Sequence, residues 1–191
     1  MPANKVFRDR LSSFDLKVDL AFDRLRGRRS FDLLFYGASA IGDHGILWVL
    51  VSVVRGVRPE HRRRAKRTII ATGIESVLVN LLFKSLFRRH RPEHNGPRPL
   101  PLRIPRTSSF PSGHTTAAFC AAALLAEDDP LWPAYYAMAF VVAASRIYVR
   151  IHHPSDVLAG IAVGTALGRM GRRISPLQRD STTPDMVIKF T

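Results

Sequence analysis

Apolar positions along this chain form one stripe spaced by threes and fours, followed by five nearly unbroken runs. In residues 4 to 28, Phe7, Leu11, Phe14, Val18, Phe22 and Leu25 recur at that spacing with Arg, Lys and Asp between them. The period matches one face of an α-helix, so an amphipathic helix is expected. Such a helix either packs on its own protein or lies in a lipid interface, where Phe and Leu dip in and basic side chains meet headgroups. The interface is the expectation here, because the runs that follow read as membrane segments. They cover roughly 31–54, 68–87, 112–126, 131–149 and 156–170. Crossing the hydrocarbon takes about 20 helical residues. The first, second and fourth runs supply them, while the third and fifth cross only if their ends reach polar cavities. Gly160, Gly164 and Gly168 stand four apart in the fifth run and make a small-residue stripe that admits a close neighbour. Lipid offers the backbone no hydrogen bonds, so helices or a closed barrel must satisfy it internally. The expected fold is all-α: a polytopic membrane helix bundle of about five transmembrane helices, with an N-terminal amphipathic interfacial helix over 1–29, a helical domain over 30–173 and a polar C-terminal tail over 174–191.

Charge sharpens this picture. Against 29 Lys and Arg stand only 15 Asp and Glu in 191 residues, an excess that marks a polyanionic partner or an anionic surface. Nucleic acid is excluded by the segregation of charge: apolar runs almost free of Lys and Arg alternate with short connectors crowded with them. With five spans, the connectors 88–111 and 150–155 emerge on one face, and 55–67 and the tail on the other. Arg55, Arg58, Arg62, Arg63, Arg64, Lys66 and Arg67, with Arg169, Arg172 and Arg173, make the second face the cytoplasmic one. The first 29 residues lack the apolar stretch of a cleavable signal peptide. Cys120, the only cysteine, sits inside an apolar run, so no intrachain disulfide is expected.

Three polar clusters fall on the first face. Lys84 precedes Arg91-Pro92 at the end of the second run. Phe110-Pro111-Ser112-Gly113-His114-Thr115 opens the third; Ser as N-cap, with Gly behind it, leaves amide N–H groups at a helix N-terminus, where anions are favoured. His114 in that first turn is a candidate acid or base. Ser145-Arg146, His152 and Asp156 bridge the fourth and fifth runs. Arg offers a planar fork for phosphate oxygens, His a nucleophilic nitrogen, and Asp an acceptor for the other ring N–H.

Lys84 with six residues before Arg91-Pro92, then Pro111-Ser112-Gly113-His114, then Ser145-Arg146 with five residues before His152 and three more before Asp156, resembles the three-part signature of the type 2 phosphatidic acid phosphatase (PAP2) superfamily. The resemblance covers roughly 31–170 and is complete at every motif position. It implies a metal-independent, cofactor-free membrane lipid phosphatase working through a phosphohistidine. His152 would be the nucleophile oriented by Asp156, and His114 the acid for the leaving oxygen. Lys84, Arg91, Ser112, Gly113 and Arg146 would bind the phosphoryl oxygens. The implied substrates are phosphatidic acid, phosphatidylglycerol phosphate or a polyprenyl phosphate or diphosphate, met at the outer face of a bacterial-type plasma membrane. Partners are thus a lipid phosphate and the bilayer, not nucleic acid. The same intermediate could pass its phosphate to another acceptor, making a phosphotransferase, and a degenerate site would leave a non-catalytic lipid-binding protein.

Asp43, His44, Glu75 and Asn80 interrupt apolar runs but lie outside the signature, so helix packing or the edge of a water-filled cavity is expected of them. His90 and His94, four apart, read as an exposed basic loop rather than a metal site. The orientation has a direct check. In a Cys120→Ser background, an impermeant thiol reagent applied to intact cells should label a cysteine at Asn95 and not one at Glu60; the reverse pattern inverts the topology.

Overall fold

The computed structural model describes residues 2–94, 96–105 and 107–177, all-helical with connecting loops. The helices are α1 (Pro2–Asp23), α2 (Arg29–Ile41), α3 (Ile46–Gly56), α4 (Arg62–Leu78), α5 (Gly113–Leu125), α6 (Trp132–Tyr148) and α7 (Pro154–Ile174). A π-helical turn, Val79–Phe83, and a last turn, Lys84–Leu86, continue α4. The His44 and Asn80 side chains, Asn95, Arg106 and most of the tail expected over 174–191 lie outside the described residues.

Two elements differ from expectation. The run 31–54 is not one rod but α2 and α3, bent by 75° at Gly42–Gly45. Asp43 lies there in a 3₁₀ turn, and Gly45 takes φ +72°, a conformation that costs a residue with a Cβ. The N-terminal helix ends at Asp23 rather than 28, and the chain then reverses at Gly27, φ +79°. Among the described residues, Pro59–Leu86 is long and apolar enough to cross a membrane; counting the bent pair as one span adds a second. Length and apolarity alone therefore support one or two crossings, not five.

α5 is the central rod, and α4, α6 and α7 pack around it. Its Ala118, Ala121, Ala122, Leu124 and Leu125 are wholly buried, and the small side chains let neighbours come close. The closest is α7, through the glycine stripe. A Cβ at Gly164 would lie 2.3 Å from the Thr116 carbonyl oxygen, at Gly168 2.6 Å from Ala123 Cβ, and at Gly160 2.9 Å from the Ser112 carbonyl oxygen. On the other side of α5, Trp48, Tyr135, Ala139 and Val142 complete the core.

The two ends of the bundle are pinned differently. At one end the carboxylate of Asp129 accepts from Arg55 (2.5 Å), Arg64 (2.8 Å) and the Tyr135 hydroxyl (3.3 Å), while Arg67 caps α5 by donating to the Leu124 carbonyl at 3.0 Å. Part of the basic connector is thus folded inward. At the other end Phe35, Tyr36, Tyr148, Val149 and Ile151 form an aromatic cluster with Phe22 and Leu25. There α1 packs on its own protein through Val18 and Phe22, while Phe7, Leu16 and Leu20 stay exposed. Arg26 follows it and donates to the Ile147 and Tyr148 carbonyls at the end of α6, each at 2.8 Å. Ile70, Ile74, Val77, Leu81, Val53, Val54, Phe140 and Leu158 face outward, an apolar surface far larger than scattered exposure explains.

The glycine stripe yields a test. Gly164→Ala should destabilise by on the order of 1–3 kcal/mol, because backbone cannot move aside as a flexible side chain can. Gly73→Ala, where a Cβ meets nothing within 4 Å, should be neutral or stabilising. Thermal midpoints in detergent compare them; equal midpoints would mean that α5 and α7 are not so close.

Candidate active site

Asp156 is where the three sequence clusters meet. His153 precedes Pro154, whose fixed φ suits a first helical turn, and the His153 N–H donates back to Asp156 Oδ2 at 2.9 Å. Asp156 Oδ1 accepts from Arg89 Nη1 at 2.7 Å, tying in the loop before the second cluster. Its backbone carbonyl accepts from the Ser112 N–H at 3.1 Å, which sets the start of α5 against the start of α7. Asp156 and Ser112 have no solvent exposure.

His152 occupies a tight turn after α6. Arg150 adopts φ +52°, and the Ile151 and His152 N–H groups both return to the Arg146 carbonyl at 3.2 Å. The imidazole is held by its Nδ1, 2.7 Å from the Ser109 carbonyl oxygen. A carbonyl can only accept, so Nδ1 carries the hydrogen and Nε2 keeps its lone pair. Arg91 Nη1, 3.3 Å away, donates to that Nε2. The Asp156 carboxylate, expected to take the ring N–H, lies behind it at 3.8 Å. It acts on the ring through charge, and the orienting acceptor is a main-chain oxygen. Burial lowers the His152 pKa below the ordinary imidazole value, and the charges of Arg146 and Arg91 lower it further against the pull of Asp156.

A cavity of about 230 Å³ opens over His152, lined also by Lys84, Arg91, Gly113 and His114. A Cβ at Gly113 would lie 3.8 Å from Lys84 Nζ, so the lysine reaches the N-terminus of α5. Arg91 is spread across the loop, donating to the carbonyls of Ile151 (3.0 Å), Thr107 (3.1 Å) and Ser108 (3.3 Å). Ser112, Arg146 and Asp156 form the wall behind the cavity instead of lining it. Arg146 is 1 % exposed and donates to Ser39 of α2; its Nε, like that of Arg91, has no hydrogen-bond partner among the described residues. Buried guanidinium N–H groups without acceptors suit an anion with several oxygens.

Residues outside the sequence clusters complete the site. Asp43, carried by the kink between α2 and α3, places Oδ1 3.2 Å from His114 Nε2 and Oδ2 3.3 Å from Arg103. Its signal in the sequence was the break itself, Gly-Asp-His-Gly within an apolar run. Thr72, Glu75 and Ser76 of α4 line the far wall; Glu75 is 2 % exposed and its Oε1 has no hydrogen-bond partner among the described residues. The Ser109 carbonyl had no signal, because a main-chain oxygen is common to every residue. His90 uses its carbonyl, accepting from Ser109 Oγ at 3.1 Å. No group of three His, Cys, Asp or Glu side chains able to hold a metal occurs among the described residues.

Comparison with known proteins gives a consistent result. The family model described as PAP2 superfamily matches residues 65–180. Decaprenylphosphoryl-5-phosphoribose phosphatase of Mycobacterium tuberculosis is 33 % identical over 132 residues, 69 % of this chain and 73 % of that protein. The crystal structure of a transmembrane PAP2-type phosphatidylglycerolphosphate phosphatase from Bacillus subtilis shares the fold at TM-score 0.67 and 22 % identity over 85 % of each chain. That of Aquifex aeolicus LpxE gives TM-score 0.67 and 25 % identity over 83 % of this chain and 94 % of that one.

The state of His152 predicts a pH effect on stability. Its pKa is lower folded than unfolded, so above about 6.5 both states are neutral and it contributes no pH dependence. Below that value the unfolded chain binds a proton that the native chain refuses, and stability is lost as pH falls. The detergent thermal midpoint should drop more steeply between pH 6.5 and 4.5 for the natural chain than for His152→Gln. Parallel curves would mean that the imidazole is not held neutral.

Proposed function

The chain belongs to the PAP2 superfamily and is a phosphoric ester hydrolase, and from that premise we propose that it cleaves the phosphomonoester or diphosphate of a membrane lipid through a phosphohistidine on His152. The observation that carries this reading is the tautomer of His152: Nδ1 is engaged with Ser109, and Nε2 faces a cavity ringed by Lys84, Arg91 and His114.

In the first step the Nε2 lone pair attacks phosphorus and forms a P–N bond. The bond from phosphorus to the lipid oxygen breaks, and its electron pair stays on that oxygen. His114 supplies the proton, and Asp43 Oδ1 lies 3.2 Å from its Nε2. As Nε2 bonds to phosphorus, positive charge gathers on the imidazole, and the Asp156 carboxylate 3.8 Å from Nδ1 offsets it. Lys84, Arg91 and the Gly113 N–H, which line the cavity, hold the phosphoryl oxygens where charge accumulates, backed by Arg146 and Ser112 in the wall behind them. Water then attacks phosphorus, His114 takes its proton, and the P–N bond breaks to return neutral His152 and inorganic phosphate. The cationic side chains fill the role of a metal ion, so no metal or cofactor is called for.

The substrate reading narrows to a phosphate carried on a polyprenyl-linked, hydroxyl-bearing headgroup. The relative from M. tuberculosis bears the name of such a substrate. Thr72, Glu75 and Ser76 lining the same cavity offer hydrogen-bond groups to hydroxyls near the phosphate, which a bare prenyl phosphate lacks. The membrane arrangement that fits is five crossings, with α2 and α3 as one broken span and α4 to α7 as the others. The catalytic domain then covers 30–173, in the plasma membrane, with the cavity on the extracytoplasmic face and the connector 55–67 in the cytoplasm.

The roles of the two histidines separate experimentally. His152→Ala should abolish the covalent phosphoenzyme with every substrate. His114→Ala should slow a lipid alkoxide by roughly 10²- to 10⁴-fold, and much less a nitrophenolate, which departs without a proton. Phosphate release from both substrates, with acid-labile phosphoenzyme trapped in parallel, measures this. Near-normal turnover in His152→Ala, or an equal penalty on both leaving groups in His114→Ala, overturns the roles.

A further inference from the structure

The amphipathic helix α1 lies outside the matched family region, residues 65–180, and outside the motif-bearing segment. It nevertheless carries a carboxylate into the catalytic end of the bundle. Asp15, 5 % exposed, is the only Asp or Glu of α1 that is buried among the described residues. One of its oxygens accepts from the Ser155 N–H at 2.8 Å, satisfying a donor in the first turn of α7 that has no partner within its own helix. The other accepts from the Ser155 hydroxyl at 2.8 Å and from Arg89 Nη2 at 2.7 Å. Arg89 turns its second nitrogen, Nη1, to Asp156 Oδ1 at 2.7 Å and to the Ser155 hydroxyl at 2.7 Å. One guanidinium therefore joins two buried carboxylates, Asp15 and the Asp156 that stands behind His152.

We propose that Asp15 and Arg89 are positioning residues for the reaction, forming with Asp156 a carboxylate–guanidinium–carboxylate chain that fixes how much negative charge reaches the His152 ring. The proposal rests on His152 being the nucleophile. The physical reason is compensation. If Arg89 acted on Asp156 alone, its full positive charge would mask the carboxylate that the phosphorylated imidazole needs. If Asp156 had no cation, its burial with no solvent exposure would be strongly unfavourable. Asp15 takes up part of the Arg89 charge and leaves Asp156 both anchored and available. The fork geometry needs Arg, since each carboxylate uses a different terminal nitrogen.

Other charges around the ring are Arg146 from α6 and Arg91 from the loop, with His114 and Lys84 across the cavity; none of them touches Asp15. The same end of α1 also grips the turn that bears His152, because Arg150 pairs with Asp23 at 2.6 Å and Asp19 at 3.4 Å. Docking of α1 is thus a structural matter as well, and the experiment has to separate that from positioning.

The full-length enzyme in detergent or proteoliposomes serves for Asp15→Asn, Arg89→Gln, Asp156→Asn, the double variant Asp15→Asn/Asp156→Asn, and Val18→Ala, which weakens α1 docking without touching the chain of charges. Asp15→Asn should lower kcat on the order of 10-fold with KM little changed, as outer partners of catalytic groups commonly do. In the Asp156→Asn background the same change should cost almost nothing, because its effect passes through Asp156. The acid limb of kcat/KM should move to lower pH in Asp15→Asn, where Arg89 is less compensated, and to higher pH in Arg89→Gln, where two carboxylates lose their cation. Val18→Ala should lower the thermal midpoint and leave the limb unmoved. Additive losses in the double variant, or limbs that shift together or not at all, overturn the positioning role. A natural enzyme that forms no phosphoenzyme at His152 instead overturns the reading beneath it, so the two failures are distinct.

Discussion

A carboxylate with no exposure to water has to be surrounded by donors, and Asp156 meets that requirement by drawing on its own helix start and on two distant parts of the chain. Its side chain takes the Arg89 guanidinium and the His153 N–H, and its carbonyl takes the Ser112 N–H. Those donors belong to the loop after α4, the turn after α6 and the start of α5, the segments that carry the three clusters of catalytic groups. The cost of leaving the charge unpaired makes these contacts mutually dependent. Loss of any one donor leaves a buried oxygen open and frees a neighbouring segment at the same time. Catalytic geometry and the integrity of the bundle end are therefore a single problem in this protein.

What lets these segments meet is the thinness of the helices beneath them. α5 presents Thr115, Thr116, Cys120 and Ala123 where it meets α7, and α7 answers with Gly160, Gly164 and Gly168. The contact next to the catalytic end, Gly160 against the Ser112 carbonyl, lies one turn from Asp156 and fixes the depth at which the two helix starts sit. Packing in the middle of the bundle thereby sets distances at its catalytic end. The opposite end has its own buried carboxylate, Asp129, surrounded by Arg55, Arg64 and Tyr135. The Leu131 N–H completes its shell at 2.9 Å, and none of these groups lines the cavity that opens over His152.

The side chains proposed to carry the reaction were legible in the sequence, since Lys84, Arg91, Ser112, Gly113, His114, Arg146, His152 and Asp156 each suggest a chemistry at a recognisable spacing. The structure gathers all eight at one end. The parts that escaped detection share a physical cause. The Ser109 carbonyl is main chain and has no residue code. Asp15 reaches Ser155 across 140 residues, a pairing no local pattern contains. The amphipathic stripe read α1 by its apolar face, yet its most consequential contact is a polar residue beside that face. The bend between α2 and α3 was visible only as an interruption, because Asp43 gains meaning once α5 brings His114 to it. Helix periodicity reports which face is apolar; it is silent on the register between helices.

The π-helical turn at Val79–Phe83 sits directly before Lys84. Each residue of an α-helix advances the azimuth by about 100°, so a π-turn inserts an extra phase increment into α4 without lengthening it by a full turn. Upstream of this step, Ile70, Ile74 and Val77 face outward; downstream, Lys84 faces the cavity. The bulge works as a phase shifter, letting one continuous helix present a hydrocarbon-compatible side for most of its length and an ammonium group to the interior at its end. Winding the same five residues as regular α-helix would turn the lysine about a quarter of a circle from the cavity, whereas deleting one of them would remove the bulge and leave the lysine close to its present phase. A change that straightened the bulge without shortening it would thus do to this enzyme what a charge-neutralising substitution does, with Lys84 itself untouched.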